Sequence, residues 1–337
     1  LGDVYKRQSH RRTQTRTLSF LASARPLAPT HASARKLPSC DTLAQCCHRR
    51  FRNGKIPRIN KDYLVIDEIC FVSIFLMTCL AEIQLVNPEL RFILVGDILG
   101  QFGSPCNTWK DVPVTDTKLR HSHLLWSLAG GNRVTLTVCR RSCRDLFEIY
   151  QGKIPPLRLL RKMFPYSGLK EWNICLSHRC RIQVNEILNR PYAGIPGSRL
   201  IPKDLKVPES QDVALFPGIR LVCVKTGLGV TNGSFWTVTE VGPPIILAGE
   251  GNTVVKIPDD KFPSHLRLAS CLVAQQSQGR SLPGTICILE MDHPRWTEKH
   301  SRVCLSRATD KSKSVSYTHL RAHETSLHLV CRLLLEK

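Results

Sequence analysis

The stretch YLVIDE, Tyr63 to Glu68, decides the fold. Four largely apolar residues run without alternation into two adjacent carboxylates, the pattern of a strand buried on both faces of a parallel sheet. Such strands deliver whatever follows them to one rim of the sheet, where α/β proteins bind their ligands. An acid pair at that rim suits phosphate chemistry. One carboxylate can hold magnesium, directly or through water, while the other orients or deprotonates an attacking water.

Outward from this stretch the texture repeats. Ile69 to Leu80 is apolar but too short to span a bilayer, so it reads as a buried helix and no transmembrane segment is expected. Arg91 to Val95 forms a second strand, ending in Gly96 and Asp97. Trp172 to Ser177 and Thr285 to Glu290 repeat the type in the second half, and Arg179 to Arg190 has helix-forming composition with Ile182, Ile187 and Leu188 available for packing. Apolar runs alternating with helical stretches predict α/β domains with parallel sheets. At 337 residues the chain exceeds what one core usually serves, so two domains are expected. Gly218 to Pro258 differs: Arg220 to Lys225, Ser234 to Val241 and Asn252 to Ile257 are β-rich, with a hairpin turn at Asn232 and Gly233. It predicts a small antiparallel insert in the second domain, approached through the Pro- and Gly-containing loop Pro191 to Gln211.

The formal net charge is +21, and Ser9 to Lys61 alone carries twelve Lys or Arg against the single acid Asp41. Basic surface of this density draws phosphate backbones, which points to a polyanionic partner without distinguishing DNA, RNA or a membrane surface. The fifteen cysteines form no pair of C-x-x-C knuckles. A scattered, odd-numbered set in a long chain reads as reduced intracellular thiols. Cys175, His178 and Cys180 lie close in sequence, but no second ligand pair accompanies them, so no zinc site is assigned on spacing.

Further segments accompany the acid pair in a fixed order. LAPTHASARKL, Leu27 to Leu37, precedes it, and FILVGDILGQF, Phe92 to Phe102, follows. Then come LTVCRRSCRDLF, Leu136 to Phe147, SHRCRIQVN, Ser177 to Asn185, QQSQGRSL, Gln275 to Leu282, and CLSRATD, Cys304 to Asp310. In this order the chain resembles superfamily 1 helicases of the RecD-like and petite-integration-frequency type, over nearly all of Leu27 to Asp310.

The resemblance implies two RecA-like P-loop NTPase domains, over about residues 9–135 and 136–314, with the insert at 218–258 being SH3-like. It implies ATP and Mg2+ as cofactors, with Asp67 binding magnesium and Glu68 acting as catalytic base. Asp97 and Gln101 resemble the third motif, whose glutamine senses the γ-phosphate. Arg141 and Arg307 resemble the arginine pair that reaches the γ-phosphate from the second domain. Thr30 and His31 resemble the motif that grips the phosphates of a strand, and Ser277, Gln278 and Gly279 resemble the fifth motif, linking strand and nucleotide. The implied activity is ATP-dependent translocation, 5′ to 3′, on single-stranded or forked nucleic acid. DNA is the expected substrate; an RNA motor of the viral kind and a non-catalytic single-strand binder are the alternatives. No membrane and no obligate protein partner are implied.

Three departures stand against the family pattern. No G-x-x-x-x-G-K-[ST] occurs, and Gly54-Lys55 falls after the strand-gripping motif. The phosphate-binding loop is therefore expected upstream of Leu27, and the chain as written is expected to hydrolyse ATP poorly. Asp97 and Gln101 are four apart where the family spaces them by three, and Gln275 stands where a histidine is usual. The opening LGDVYKRQ, residues 1–8, and the closing segment from Val315 to Lys337 resemble translated sequencing adapter and are expected to lie outside the natural fold.

Overall fold

The computed structural model describes residues 24–28, 41–44, 46–47, 56, 58–104, 107–109, 112–139, 141–249, 253–280, 282–309 and 315–318. In the first lobe, β1 (Ala24–Ala28), β2 (Asp41–Thr42), β3 (Tyr63–Ile66) and, after helix α1 (Ile74–Val86), β4 (Arg91–Leu94) form a sheet of order β2-β1-β3-β4. Every pairing in it is parallel. YLVI takes a central position, with Leu64, Val65 and Ile66 buried. The apolar stretch after the acid pair is not one helix. A 3-10 turn, Ile69–Phe71, comes first, and α1 begins only after Ser73, whose hydroxyl caps Leu76 N–H. A short hairpin, β5 (Thr108–Trp109) with β6 (Val112–Pro113), and helices α2 (Asp116–Arg120) and α3 (His123–Leu128) complete the lobe.

The second lobe opens with α4 (Arg144–Gln151) and α5 (Leu157–Met163), then β7 (Trp172–Cys175) and α6 (His178–Asn189). The chain next forms the two-stranded unit β8 (Arg199–Ile201) with β9 (Val213–Leu215), and then β10 (Arg220–Cys223), β11 (Phe235–Glu240), β12 (Ile245–Gly249) and β13 (Val254–Ile257). After α7 (Phe262–His265), β14 (Leu266–Leu268) closes a five-stranded antiparallel sheet of order β13-β12-β11-β10-β14. The insert thus runs past Pro258, because β14 pairs with β10 through Leu221 and Leu268. Gly233 takes φ 83 at the turn between β10 and β11, a conformation that suits glycine.

The chain then returns to the parallel sheet with β15 (Cys271–Val273), α8 (Ala274–Ser277), β16 (Ile286–Leu289) and α9 (Glu298–Leu305). The order is β15-β7-β16-β17, all parallel, where β17 (Val315–Thr318) comprises the described residues of the closing segment. Each lobe has its own core: Leu27, Leu64, Ile66, Leu80 and Ile83 in the first, Trp172, Ile174, Leu272, Ile286 and Ile288 in the second. The antiparallel insert has a third, around Leu221, Trp236 and Leu247. Among the described residues no helix is long and apolar enough to cross a membrane.

Candidate nucleotide cleft between the two lobes

The acid pair sits where β3 ends. Asp67 N–H donates to Leu27 O at 3.0 Å, tying it to β1, and Asp67 Oδ1 accepts Glu68 N–H at 2.9 Å. Glu68 lies in the left-handed region, φ 50 and ψ 49. A glutamate gains nothing locally from that conformation, which costs about 1–2 kcal/mol, so the surrounding structure imposes it. The turn re-aims the carboxylate toward the second lobe. There Gly279, at φ 72, leaves room: a Cβ on it would stand 2.8 Å from Glu68 Oε1. The positive φ favours glycine at this position, and a Cβ would also oblige the Glu68 carboxylate to move.

The arginines occupy the same cleft. Arg307 is 2% exposed; its Nε donates to Val303 O at 3.1 Å, and its terminal nitrogens donate to Arg280 O at 2.7 Å and Ser306 Oγ at 2.8 Å. These bonds hold the guanidinium fork and, among the described residues, leave two of its five N–H groups uncommitted. Burial and then the charge of Arg141 lower the Arg307 pKa to about 10, with Glu68 opposing both. Those influences put Arg141 and Glu68 within electrostatic range of Arg307. Arg141 is exposed; the next residue, Ser142, is anchored by its hydroxyl to Ala308 O at 2.9 Å, which ties the Arg141 segment to the Arg307 segment.

The loop from Asp97 to Phe102 links these groups. Asp97 Oδ1 accepts from Leu99 N–H and Gly100 N–H, and Gln101 N–H donates to Asp97 O at 3.1 Å. The four-residue spacing closes as a single α-turn, which accommodates the extra residue. Gln101 Oε1 then accepts the Cys70 thiol at 2.9 Å, so it is tied to the turn that follows Glu68. Burial and the Glu68 charge push the Cys70 pKa up to about 12, which keeps the thiol protonated as donor.

Gln278 spans the lobes through the neighbouring residue. Its Oε1 accepts Phe102 N–H at 3.0 Å and its Nε2 donates to Phe102 O at 3.3 Å. Ser277 is fully buried, with its hydroxyl donating to Ala274 O at 2.7 Å. The sequence expects these two side chains at nucleic acid; here Ser277 closes the turn of α8, and Gln278 hydrogen-bonds the first lobe. Thr30 and His31 lie outside the described residues.

Sequence reasoning missed two interlobe residues on α9. Lys299 donates to Ile98 O at 3.2 Å and pairs with Asp116. His300 meets the Phe102 ring edge-on, centroids 4.8 Å apart. Their nearness in sequence to CLSRATD was the available signal. The helix preceding the Arg307 segment has one face toward the partner lobe.

Two lobes with parallel sheets, carboxylates on one and guanidinium groups on the other, define a two-domain RecA-like α/β fold. Solved structures show which one. Bacteroides Pif1 bound to single-stranded DNA matches with a TM-score of 0.57 at 17% identity, covering 93% of this chain and 87% of that one. Two coordinating Pif1 helicases at forked double-stranded DNA match at 0.58 and 18%, covering 93% and 86%. Bacteroides Pif1 in complex with ADP-AlF4 matches at 0.53 and 16%, covering 95% and 90%. The chain therefore has the fold of Pif1 helicases. No protein-family profile matches it, and no curated protein does.

Proposed function

We propose that this chain carries the motor of an ATP-dependent helicase or translocase acting on single-stranded or forked DNA. One observation carries the reading: the carboxylate of Glu68 in the first lobe lies against Gly279 and within electrostatic reach of Arg307, beside Arg141, in the second. The ADP-AlF4 and DNA complexes of the Pif1 neighbours and the +21 charge of the chain support it.

The residues present fit a magnesium nucleotide on the side they supply. Asp67 stands at the rim, where it would hold Mg2+, and the lack of a side chain at Gly279 leaves room for the Glu68 carboxylate. When bound, Mg2+ neutralises charge on the phosphate oxygens. Glu68 takes the proton of the attacking water. Arg307, with Arg141, lends positive charge where negative charge grows on the γ-phosphate, at low dielectric since Arg307 is buried. Asp97 shapes the loop, and Gln101, hydrogen-bonded to Cys70, reports the state of the acid-pair turn to Phe102 and hence to Gln278. Loss of the γ-phosphate then removes the attraction that favours a closed cleft, and one lobe shifts relative to the other along the strand.

The test uses the full-length gene product. Single-stranded DNA should stimulate ATP hydrolysis more than single-stranded RNA does, and Arg307→Ala should lower kcat by about 10³-fold with ATP affinity changed far less. Equal loss of turnover and ATP binding would make Arg307 a structural residue. Stronger stimulation by RNA would move the substrate to that class.

A further inference from the structure

Among the described residues, one cluster of metal-ligating groups lies outside the cleft. Cys175 ends β7, Cys180 sits in the first turn of α6, and Glu290 follows β16. One ligand atom from each lies within 4.8 Å of the other two. The sequence spacing showed two of the three; the sheet order β7-β16 brings the third from more than a hundred residues away.

Several independent features favour a bound cation here. Both thiols are buried, so the site is shielded from competing water. Glu290 is held in the left-handed region at φ 60, a strained conformation for a glutamate, which aims its carboxylate into the cluster. The carboxylate is oriented by donors: Oε2 accepts Leu176 N–H at 2.9 Å and Ser177 N–H at 2.8 Å, and Oε1 accepts Ser177 Oγ–H at 2.7 Å. Cys175 is braced from behind by Cys271, whose Sγ donates to it at 3.7 Å. The N-terminus of the twelve-residue α6 favours anionic groups at this point. His178, the ligand the sequence would have suggested, pairs instead with Glu209 at 2.9 Å.

We propose that Cys175, Cys180 and Glu290 are three ligands of a zinc ion that staples β7, α6 and β16 of the second lobe, with water completing the tetrahedron on the half-buried Glu290 side. Donors on one zinc stand about 3.5–3.8 Å apart, so side-chain movements of about 1 Å bring these three into place. Two thiolates select zinc over magnesium or calcium, which prefer all-oxygen sites. Binding releases both thiol protons to solvent, and no redox step is involved.

The chain is purified, equilibrated with ZnCl2 or CoCl2, desalted and assayed for bound metal by mass spectrometry. One zinc per chain is expected, and the cobalt form should show thiolate-to-cobalt charge-transfer absorption. Cys180→Ser and Glu290→Gln should each lower zinc retention about tenfold or more. Cys304→Ser, at a fully buried thiol of the same lobe, should leave retention unchanged. Circular dichroism shows whether each variant folds, and the near-isosteric Glu290→Gln carries the test if Cys180→Ser does not. Less than about a tenth of an ion per wild-type chain, or equal retention in wild type, Cys180→Ser and Glu290→Gln, overturns the assignment.

Discussion

Glu68 and Glu290 occupy matching places in the two lobes, and they are used in opposite ways. Each follows a central strand of a parallel sheet, β3 or β16, and each takes a left-handed backbone, φ 50 and φ 60. Glu68 turns toward the neighbouring lobe, against Gly279 and near Arg307. Glu290 turns into its own lobe and accepts the N–H groups of Leu176 and Ser177 at the start of α6. Helix N-termini beside a sheet rim are natural phosphate sites. In the second lobe a carboxylate already fills that role, so this rim is closed to a nucleotide. What that lobe offers the cleft is positive charge, so in the proposed motor one nucleotide site would serve two similar sheets.

Turnover separates the two glutamates most decisively. In the full-length gene product Glu68→Gln should lower DNA-stimulated hydrolysis by roughly 10²–10⁴-fold while leaving the melting temperature near wild type. Glu290→Gln should show the reverse profile. Removing the charge from three hydrogen bonds costs about 2 kcal/mol of unfolding free energy in urea titration. Comparable destabilisation by both substitutions would erase the distinction between the rims.

Gly279→Ala sharpens the cleft side of the contrast. The left-handed backbone alone costs about 1–2 kcal/mol, and the added methyl meets Glu68, so turnover should fall more than stability predicts. A fully active Gly279→Ala enzyme would mean that the lobes do not approach this closely during hydrolysis. The smallest effect is expected at the Lys299–Asp116 ion pair between α9 and α2. Both side chains are partly exposed, so a double-mutant cycle of Lys299→Ala and Asp116→Ala should give a coupling under about 1 kcal/mol. Coupling near zero would leave Phe102 and Gln278 as the principal tie between the lobes.

Four strands of the two parallel sheets, β3, β4, β7 and β16, were legible in the sequence within a residue or two, while β1, β2, β15 and β17 were not read as strands. YLVI, RFIL, WNIC and ICIL are each short apolar runs ended by a polar residue or a turn, and that signal is local. The break at Ser73 was less visible, because an apolar stretch looks alike whether or not its first turn belongs to the helix. The extent of the insert was also hidden. Its last strand, LRL, is three residues long and declares itself only through its partner β10. The acids and arginines of the cleft were named from motif order. The inward commitment of Ser277 and Gln278 was not foreseen, since a polar side chain carries no mark of the donor or acceptor it will meet.

By itself, then, the amino-acid order determined which segments are buried strands, where acids and arginines terminate them, and that two lobes follow one another along the chain. Tertiary structure alone decided which carboxylate faces the cleft and which closes its own helix, and that Gln278 holds Phe102 from 176 residues away. The physical reason is that apolar periodicity reports only whether a face is covered. The partner of a polar group depends on how distant loops close together, and nearby residues do not encode that.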